Sequence, residues 1–68
     1  MTLPRLYLPR TLEKGDLCLA TADQARYLKT VLRLREGDPV LIFNGTGREY
    51  DAIIRRHTAE QVELEVTG

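Results

Sequence analysis

The sequence has few of the residues that build disulfides, metal sites or membrane anchors. It contains one cysteine, Cys18, and one histidine, His57, so no intramolecular disulfide or multi-cysteine metal site can form within it. A lone cysteine suits a reducing compartment, and we expect a cytoplasmic protein. The longest run of large apolar residues is 40–43, whereas a transmembrane helix needs about 20 such residues. We therefore expect no membrane partner and no metal.

The chain also lacks an excess of charge of either sign. Ten Lys and Arg residues balance ten Asp and Glu residues, for a formal net charge of zero. The distribution is nevertheless uneven, because residues 1–35 hold seven basic and three acidic residues, whereas residues 36–68 hold three basic and seven acidic ones. The two halves therefore carry +4 and −4, and one positive face is enough to attract phosphate.

The length of 68 residues allows one domain, residues 1–68. Short apolar or alternating segments near residues 3–9, 17–19, 40–43, 48–55 and 62–66 predict five strands. The prolines at both ends of the first segment confine it to a sheet edge or to a short irregular strand. With one main helix, at about residues 22–34, this indicates an α+β or mostly β fold, a small barrel built on antiparallel pairs. Because the chain stops just past a strand, we expect a domain of a longer protein.

The helix is the clearest local signal. Thr21 and Gln24 have the spacing of a capping box, and Gly37 and Pro39 predict that the helix ends near Leu34. At 100° per residue one face is apolar, with Tyr27 at its border, and consists of Ala25, Leu28, Val31 and Leu32.

The opposite helix face is cationic, with Arg26, Lys29 and Arg33 at i, i+3 and i+7. Most such stripes are only solvated, but the acidic partners at i+4 that mark a solvated face are missing within this helix. We therefore favour phosphate binding over mere solvation, with Arg35 extending the stripe. Further candidates lie in the first segment and among the aromatic residues, which could stack on an unpaired base: Arg5, Arg10, Tyr7 and Tyr27.

The remaining motifs favour ordinary structural roles. Gly45-Thr46-Gly47 precedes a strand, whereas a phosphate loop precedes a helix N-terminus, so we interpret it as a hairpin turn and expect phosphate at the arginines before it. We interpret His57 as a turn residue and Cys18 as a small buried hydrophobic residue. Asp38, Glu49 and Asp51 make no convincing acid–base pair, and we expect no catalytic residue.

Three motifs stand out together: Leu3-Pro4-Arg5-Leu6-Tyr7, the segment 31–38 that contains Val31-Leu32-Arg33, and the segment 43–50 around Asn44-Gly45. Together they resemble the N-terminal domain of the RsmE family, bacterial enzymes that methylate the third nitrogen of one uracil in 16S ribosomal RNA. The motifs, in this order and spacing, span nearly the whole chain. One departure is the pair Arg26 and Tyr27, which stand where such sequences commonly have histidine.

The resemblance implies a PUA-like β-barrel that holds ribosomal RNA for a knotted C-terminal methyltransferase domain, absent from this chain. That domain would carry the S-adenosylmethionine site and form a homodimer, so the parent would be an enzyme and this chain non-catalytic, with no cofactor of its own. The expected partners are 16S ribosomal RNA or the small ribosomal subunit, and the methyltransferase domain. An alternative is a small structural barrel for interdomain or subunit packing, with no direct RNA contact.

Overall fold

In the computed structural model, which describes residues 3–58 and 61–68, five strands form one sheet. Their bounds are β1 (Arg5–Tyr7), β2 (Leu17–Leu19), β3 (Pro39–Phe43), β4 (Glu49–His57) and β5 (Val62–Val66). The spatial order is β1-β3-β4-β5-β2. The predicted α+β, mostly β architecture is confirmed.

The strands meet in pairs that are antiparallel with one exception. β3, β4 and β5 follow one another as antiparallel neighbours, and β2 pairs with β5 in the same sense. At the other edge, however, β1 pairs with β3 in parallel, with Arg5 opposite Leu41 and Tyr7 opposite Phe43. The prediction of antiparallel pairs alone was wrong here, because a pairing between segments so far apart in sequence leaves no local signal.

The core lies between the sheet and the helix. Alternate residues of each strand point inward, so Ile42, Ile54 and Leu64 are fully buried, and Leu28 of the helix packs against them in the same cluster. This alternation is what a sheet with one covered face requires. Cys18 is buried as predicted, on the inward side of β2.

The helix begins as predicted, with α1 (Ala22–Arg26) preceded by a complete capping box. Thr21 Oγ1 accepts a hydrogen bond from the Gln24 amide at 3.1 Å, and Gln24 Oε1 accepts one from the Thr21 amide at 2.9 Å. Two amides that a helix start leaves without partners are thereby satisfied.

The second half of the helix departs from the prediction, because it is a π-helical segment, Tyr27–Val31. The amide of Leu32 donates to the carbonyl of Tyr27, five residues back, at 3.1 Å. A turn that is closed over five residues is wider than an α turn, so each residue advances the side chains through a smaller angle. Val31 therefore falls outside the buried face and is 64% exposed, contrary to the prediction.

The helix also ends three residues before the predicted Leu34. Arg33 has a φ of 53°, in the left-handed region, and the amide of Leu34 reaches back to the carbonyl of Leu28 at 2.9 Å. This arrangement resembles a Schellman ending widened by the π turn. Gly37, from which the sequence predicted the end of the helix, is also left-handed, with a φ of 90°, but it lies in the turn before β3.

His57 is the last residue of β4 and not a turn residue, so that interpretation was wrong. Its amide donates to the Glu36 carboxylate at 3.2 Å, which links the sheet to the segment after the helix. The hairpin between β3 and β4 is confirmed, with Gly45 and Gly47 both at a φ of 87°. In the described part of the chain, no helix has the length and apolar character needed to cross a membrane.

Candidate nucleic-acid interface

The predicted cationic residues divide into a group along and after the helix and a group around the β3–β4 hairpin. Arg26 ends α1 and is exposed. The helix that carries it is fixed to β1, because Gln24 Nε2 donates to the carbonyl of Tyr7 at 2.8 Å. Arg26 therefore projects from a rigidly placed helix.

Lys29 is engaged within the protein. It is partly buried, and its Nζ donates to the carbonyl of Thr58, in the turn between β4 and β5. The ammonium group thus connects the π segment to the sheet, and its capacity to contact a ligand is reduced to its remaining hydrogens. Among the predicted cations of the helix, Lys29 is therefore the one whose charged group binds within the protein.

Arg33 and Arg35 do not continue the helical stripe but lie on the turn that leaves the helix. Both are exposed. The amide of Arg35 donates to the Asp38 carboxylate at 2.8 Å, so this acidic residue stabilises the turn through the backbone. The guanidinium groups of both arginines stay outside that interaction.

Arg5 belongs to the hairpin group and is partly neutralised. Its guanidinium forms an ion pair with Glu49 across the sheet and lies 5.7 Å from the centroid of the Phe43 ring. More than half of the side chain remains exposed, and an exposed pair of this kind contributes about 1 kcal/mol or less. An anion that binds Arg5 must therefore compete with a carboxylate already in contact.

The two predicted stacking residues are each 48% exposed. Tyr7 packs its ring against Phe43, with the centroids 5.3 Å apart and the planes inclined by 39°. A Cβ placed on Gly45 would lie 3.7 Å from the Tyr7 ring, so the hairpin turn passes close to this tyrosine. Tyr27 begins the π segment. Both side chains therefore remain about half exposed to solvent.

Arg10 lies beside the β3–β4 hairpin because the parallel pairing carries the chain after β1 to that turn. Asn44 Nδ2 donates to the Arg10 carbonyl at 3.0 Å, and Asn44 Oδ1 accepts from the hydroxyl and the amide of Thr46 at 2.6 and 3.3 Å. Between the two segments lies an open groove of about 530 Å³, lined in part by Arg10, Asn44, Thr46, Arg48 and Tyr50.

Arg48 in this groove is a residue that the sequence reasoning missed. Its guanidinium lies 5.5 Å from the centroid of the Tyr50 ring, a cation–π contact that holds the planar group in place. The spacing of Arg48 and Tyr50 on one side of a predicted strand was the available signal. Nothing in the sequence, however, placed Arg10 opposite them.

Several arginines have no carboxylate partner among the described residues, because the carboxylates there bind other groups. Glu63 and Glu65 surround Arg55, the latter at 2.9 Å, while Asp16 accepts an amide hydrogen bond from Glu13. Within the described ranges, no carboxylate lies within 4 Å of the guanidinium groups of six arginines: Arg10, Arg26, Arg33, Arg35, Arg48 and Arg56.

The thiol of Cys18 is buried and carries no disulfide. Burial raises the pKa of Cys18, the nearby Arg10 lowers it in part, and Asp16 raises it again. A thiol held in its neutral form is a poor nucleophile. Residues 3–58 and 61–68 also contain no cluster of three His, Cys, Asp or Glu residues that could hold a metal ion.

Comparison with known proteins gives a consistent result. The profile of the RNA methyltransferase PUA domain matches residues 20–67. Among solved structures, the chain is similar to the ribosomal RNA small subunit methyltransferase E of Neisseria gonorrhoeae bound to S-adenosylmethionine. The identity is 29% and the TM-score 0.85, over 96% of this chain and 27% of that one.

Two further structures are similar over most of this chain. A protein of Legionella pneumophila assigned as a methyltransferase, with bound SAM, has 26% identity and a TM-score of 0.92, over 100% of this chain and 28% of its own. A probable rRNA-methyltransferase of Porphyromonas gingivalis has 30% identity and a TM-score of 0.79, over 97% and 26%. The chain thus spans little more than a quarter of the length of these proteins, and the predicted PUA-like fold is confirmed.

Proposed function

The chain belongs to the family of RNA methyltransferase PUA domains, and from this premise we propose that it is the domain that docks ribosomal RNA for a methyltransferase. The parent would be an S-adenosylmethionine-dependent enzyme, since two similar structures contain that cofactor. In detail, we propose methylation of N3 of a uridine in 16S ribosomal RNA, by a separate C-terminal domain of a cytoplasmic homodimer. Residues 1–68 would hold the RNA and supply no catalytic group.

One observation carries the proposal, namely that the arginines on and after the helix face solvent without a carboxylate partner among the described residues. Arg26, Arg33 and Arg35 stand in this position, all within residues 26–35, and like charges repel one another. That repulsion costs stability unless an anion offsets it. Phosphate groups of RNA are anions that exposed guanidinium groups bind well.

Aromatic residues near these cations suit single-stranded or looped RNA. Tyr7 and Tyr27 are half exposed, and an unpaired base can stack on such a ring whatever its identity. Phosphate contacts of this kind fix affinity and register but not sequence. The choice of the target uridine would accordingly depend on RNA shape and on the methyltransferase domain.

The proposal predicts salt-dependent binding of single-stranded RNA by the 68-residue chain. If Arg10, Arg26, Arg33 and Arg35 each engage one phosphate, the slope of log K against log salt is about −0.7 for each, or about −3 in total. An NMR titration with a 16S ribosomal RNA hairpin should shift amides on the arginine-bearing surface. Arg33→Glu should weaken the effect, whereas Lys14→Glu, an exposed charge in the turn before β2, should not.

Absence of any shift at low salt would contradict RNA docking. It would favour the alternative, a barrel that packs against another domain or subunit. That alternative has an observation of its own, because Leu17 and Leu19 of edge strand β2 are 48% and 50% exposed. The parent enzyme tests the chemistry: its product, mapped by nuclease digestion and mass spectrometry, should carry the methyl group on N3 of a 16S uridine.

A further inference from the structure

The groove beside the β3–β4 hairpin has the features of a nucleotide site, and it lies apart from the arginines that follow the helix. Its two walls come from distant parts of the chain, with Arg10 on one side and Arg48 on the other. The hydrogen bond from Asn44 Nδ2 to the Arg10 carbonyl holds the walls together. A volume of about 530 Å³ is within the range of small-ligand sites, roughly 300–1,000 Å³.

The charge on this side of the hairpin is uncompensated. Arg10 and Arg48 have no carboxylate within 4 Å among the described residues. A second groove on the other side of the same turn, of about 380 Å³, also contains Arg48, but there Arg5 is paired with Glu49. An anion at this hairpin should therefore prefer the side of Arg10.

Arg48 is prepared to contact a nucleotide in two ways. Its guanidinium lies over the Tyr50 ring, at 5.5 Å from the centroid, and the residue remains exposed to a ligand. The edge of a guanidinium can donate two parallel hydrogen bonds to a phosphate, and its face can stack on a base. A lysine at this position could do neither.

Thr46 adds a preference for RNA. The amide group of Asn44 is oriented by its bond to the Arg10 carbonyl, so Oδ1 faces Thr46 and accepts the hydroxyl hydrogen at 2.6 Å. The Thr46 hydroxyl has only one hydrogen, so any further hydrogen bond it makes must be as an acceptor. The ribose 2′-hydroxyl is a donor that deoxyribose lacks.

We propose that this groove binds one ribonucleotide of single-stranded RNA, with its phosphate on Arg10 and Arg48 and its 2′-hydroxyl on Thr46. The inference rests on the proposed function and adds a second RNA-contacting surface to it. The sequence predicts phosphate at the arginines before the hairpin, and this proposal adds Arg48, which follows it. The contacts come from the side chain of Thr46 in the turn and from those of Arg10 and Arg48 beside it, and the glycine amides are not involved.

The test compares Arg48→Gln with Arg56→Gln, measured by fluorescence anisotropy with a labelled single-stranded RNA 10-mer and its DNA counterpart. Arg56 is an exposed arginine of β4, eight residues after Arg48, which directly precedes that strand. The two positions are at most about 26 Å apart at about 3.3 Å per residue. We expect Arg48→Gln to weaken RNA binding about fivefold or more and to reduce the salt slope by about 0.7. Arg56→Gln should leave both unchanged.

Thr46→Val keeps the shape of the side chain and removes the hydroxyl. It should lower the preference for RNA over DNA while leaving DNA binding unchanged. Amide spectra of each variant show whether the fold is retained. If Arg48→Gln binds like the wild type while Arg33→Gln is weakened, the groove proposal is refuted and RNA docking stands. If the wild-type chain does not bind RNA at low salt, both are refuted.

Discussion

Replacing Arg33 with glycine should stabilise the protein, although it removes a large side chain. Arg33 has a φ of 53°, a conformation that costs a residue with a Cβ about 1 kcal/mol or more. Glycine avoids this cost but adds conformational freedom to the unfolded chain, worth about 0.4–1 kcal/mol. The net gain in the free energy of unfolding is then about 0.5 kcal/mol. At about 4–8 °C per kcal/mol for a domain of this size, Tm rises by roughly 2–4 °C.

Arg35→Gly is the matched control, two residues later on the same exposed turn. Arg35 is not among the non-glycine residues with positive φ, so glycine offers no relief there and only the entropic cost of about 0.4–1 kcal/mol remains. Both variants lose one guanidinium group, and both should bind RNA more weakly. Their stabilities, measured by urea denaturation with circular dichroism, should change in opposite directions.

A third variant, Arg33→Ala, separates the backbone from the side chain. It removes the guanidinium but keeps the Cβ, so the left-handed conformation stays unfavourable and no stabilisation is expected. If Arg33→Gly destabilised the protein as much as Arg35→Gly does, the left-handed conformation of Arg33 at the end of the helix would be refuted. A gain in stability with Arg33→Ala would show that charge repulsion dominates instead.

Three further predictions address the helix and the buried thiol. Leu28→Ala should lower the free energy of unfolding by about 2–5 kcal/mol, whereas Val31→Ala should change it by about 0.5 kcal/mol or less. Equal losses in urea denaturation would mean that Val31 is buried like Leu28, as a regular α-helix would place it. Thr21→Ala should cost about 1 kcal/mol through the lost cap, and Thr21→Ser should recover most of it in the same assay. Because burial raises the pKa of Cys18, the unfolded chain loses this proton at lower pH than the folded one. The free energy of unfolding should therefore fall as pH rises above about 9, the ordinary thiol value, and more steeply than in Cys18→Ala; parallel pH profiles would disprove the effect.

Features that depend on neighbouring residues were predictable from the sequence. The capping box at Thr21 and Gln24 needs only a spacing of three, and the inward residues of β5 need only alternation. The short strand β2 and the hairpin after β3 also follow from local apolar patterns and turn residues. Each of these elements appears in the structure where the pattern placed it.

Features that depend on the assembled fold were not predictable. The π turn that moves Val31 to the surface follows from how the helix packs and ends, and a regular helical period cannot anticipate it. The groove between Arg10 and Arg48 exists only because β1 runs parallel to β3. Likewise, Lys29 looks like a free surface cation until the β4–β5 turn brings Thr58 to it.

The parallel edge strand β1 also has a consequence for how the protein folds and opens. The run from β3 to β5 can form through short-range hairpins, whereas β1 must find a partner about 36 residues away, a closure that is expected late in folding. A short edge strand also undocks more readily than the central strands while the rest stays folded, and β1, like β2, is an edge strand of three residues. Its amides should be among the first in the sheet to exchange with solvent. Because Arg10 lies only three residues after this strand, undocking would separate it from Arg48, and a nucleotide bound by both would slow hydrogen exchange in β1 without touching it.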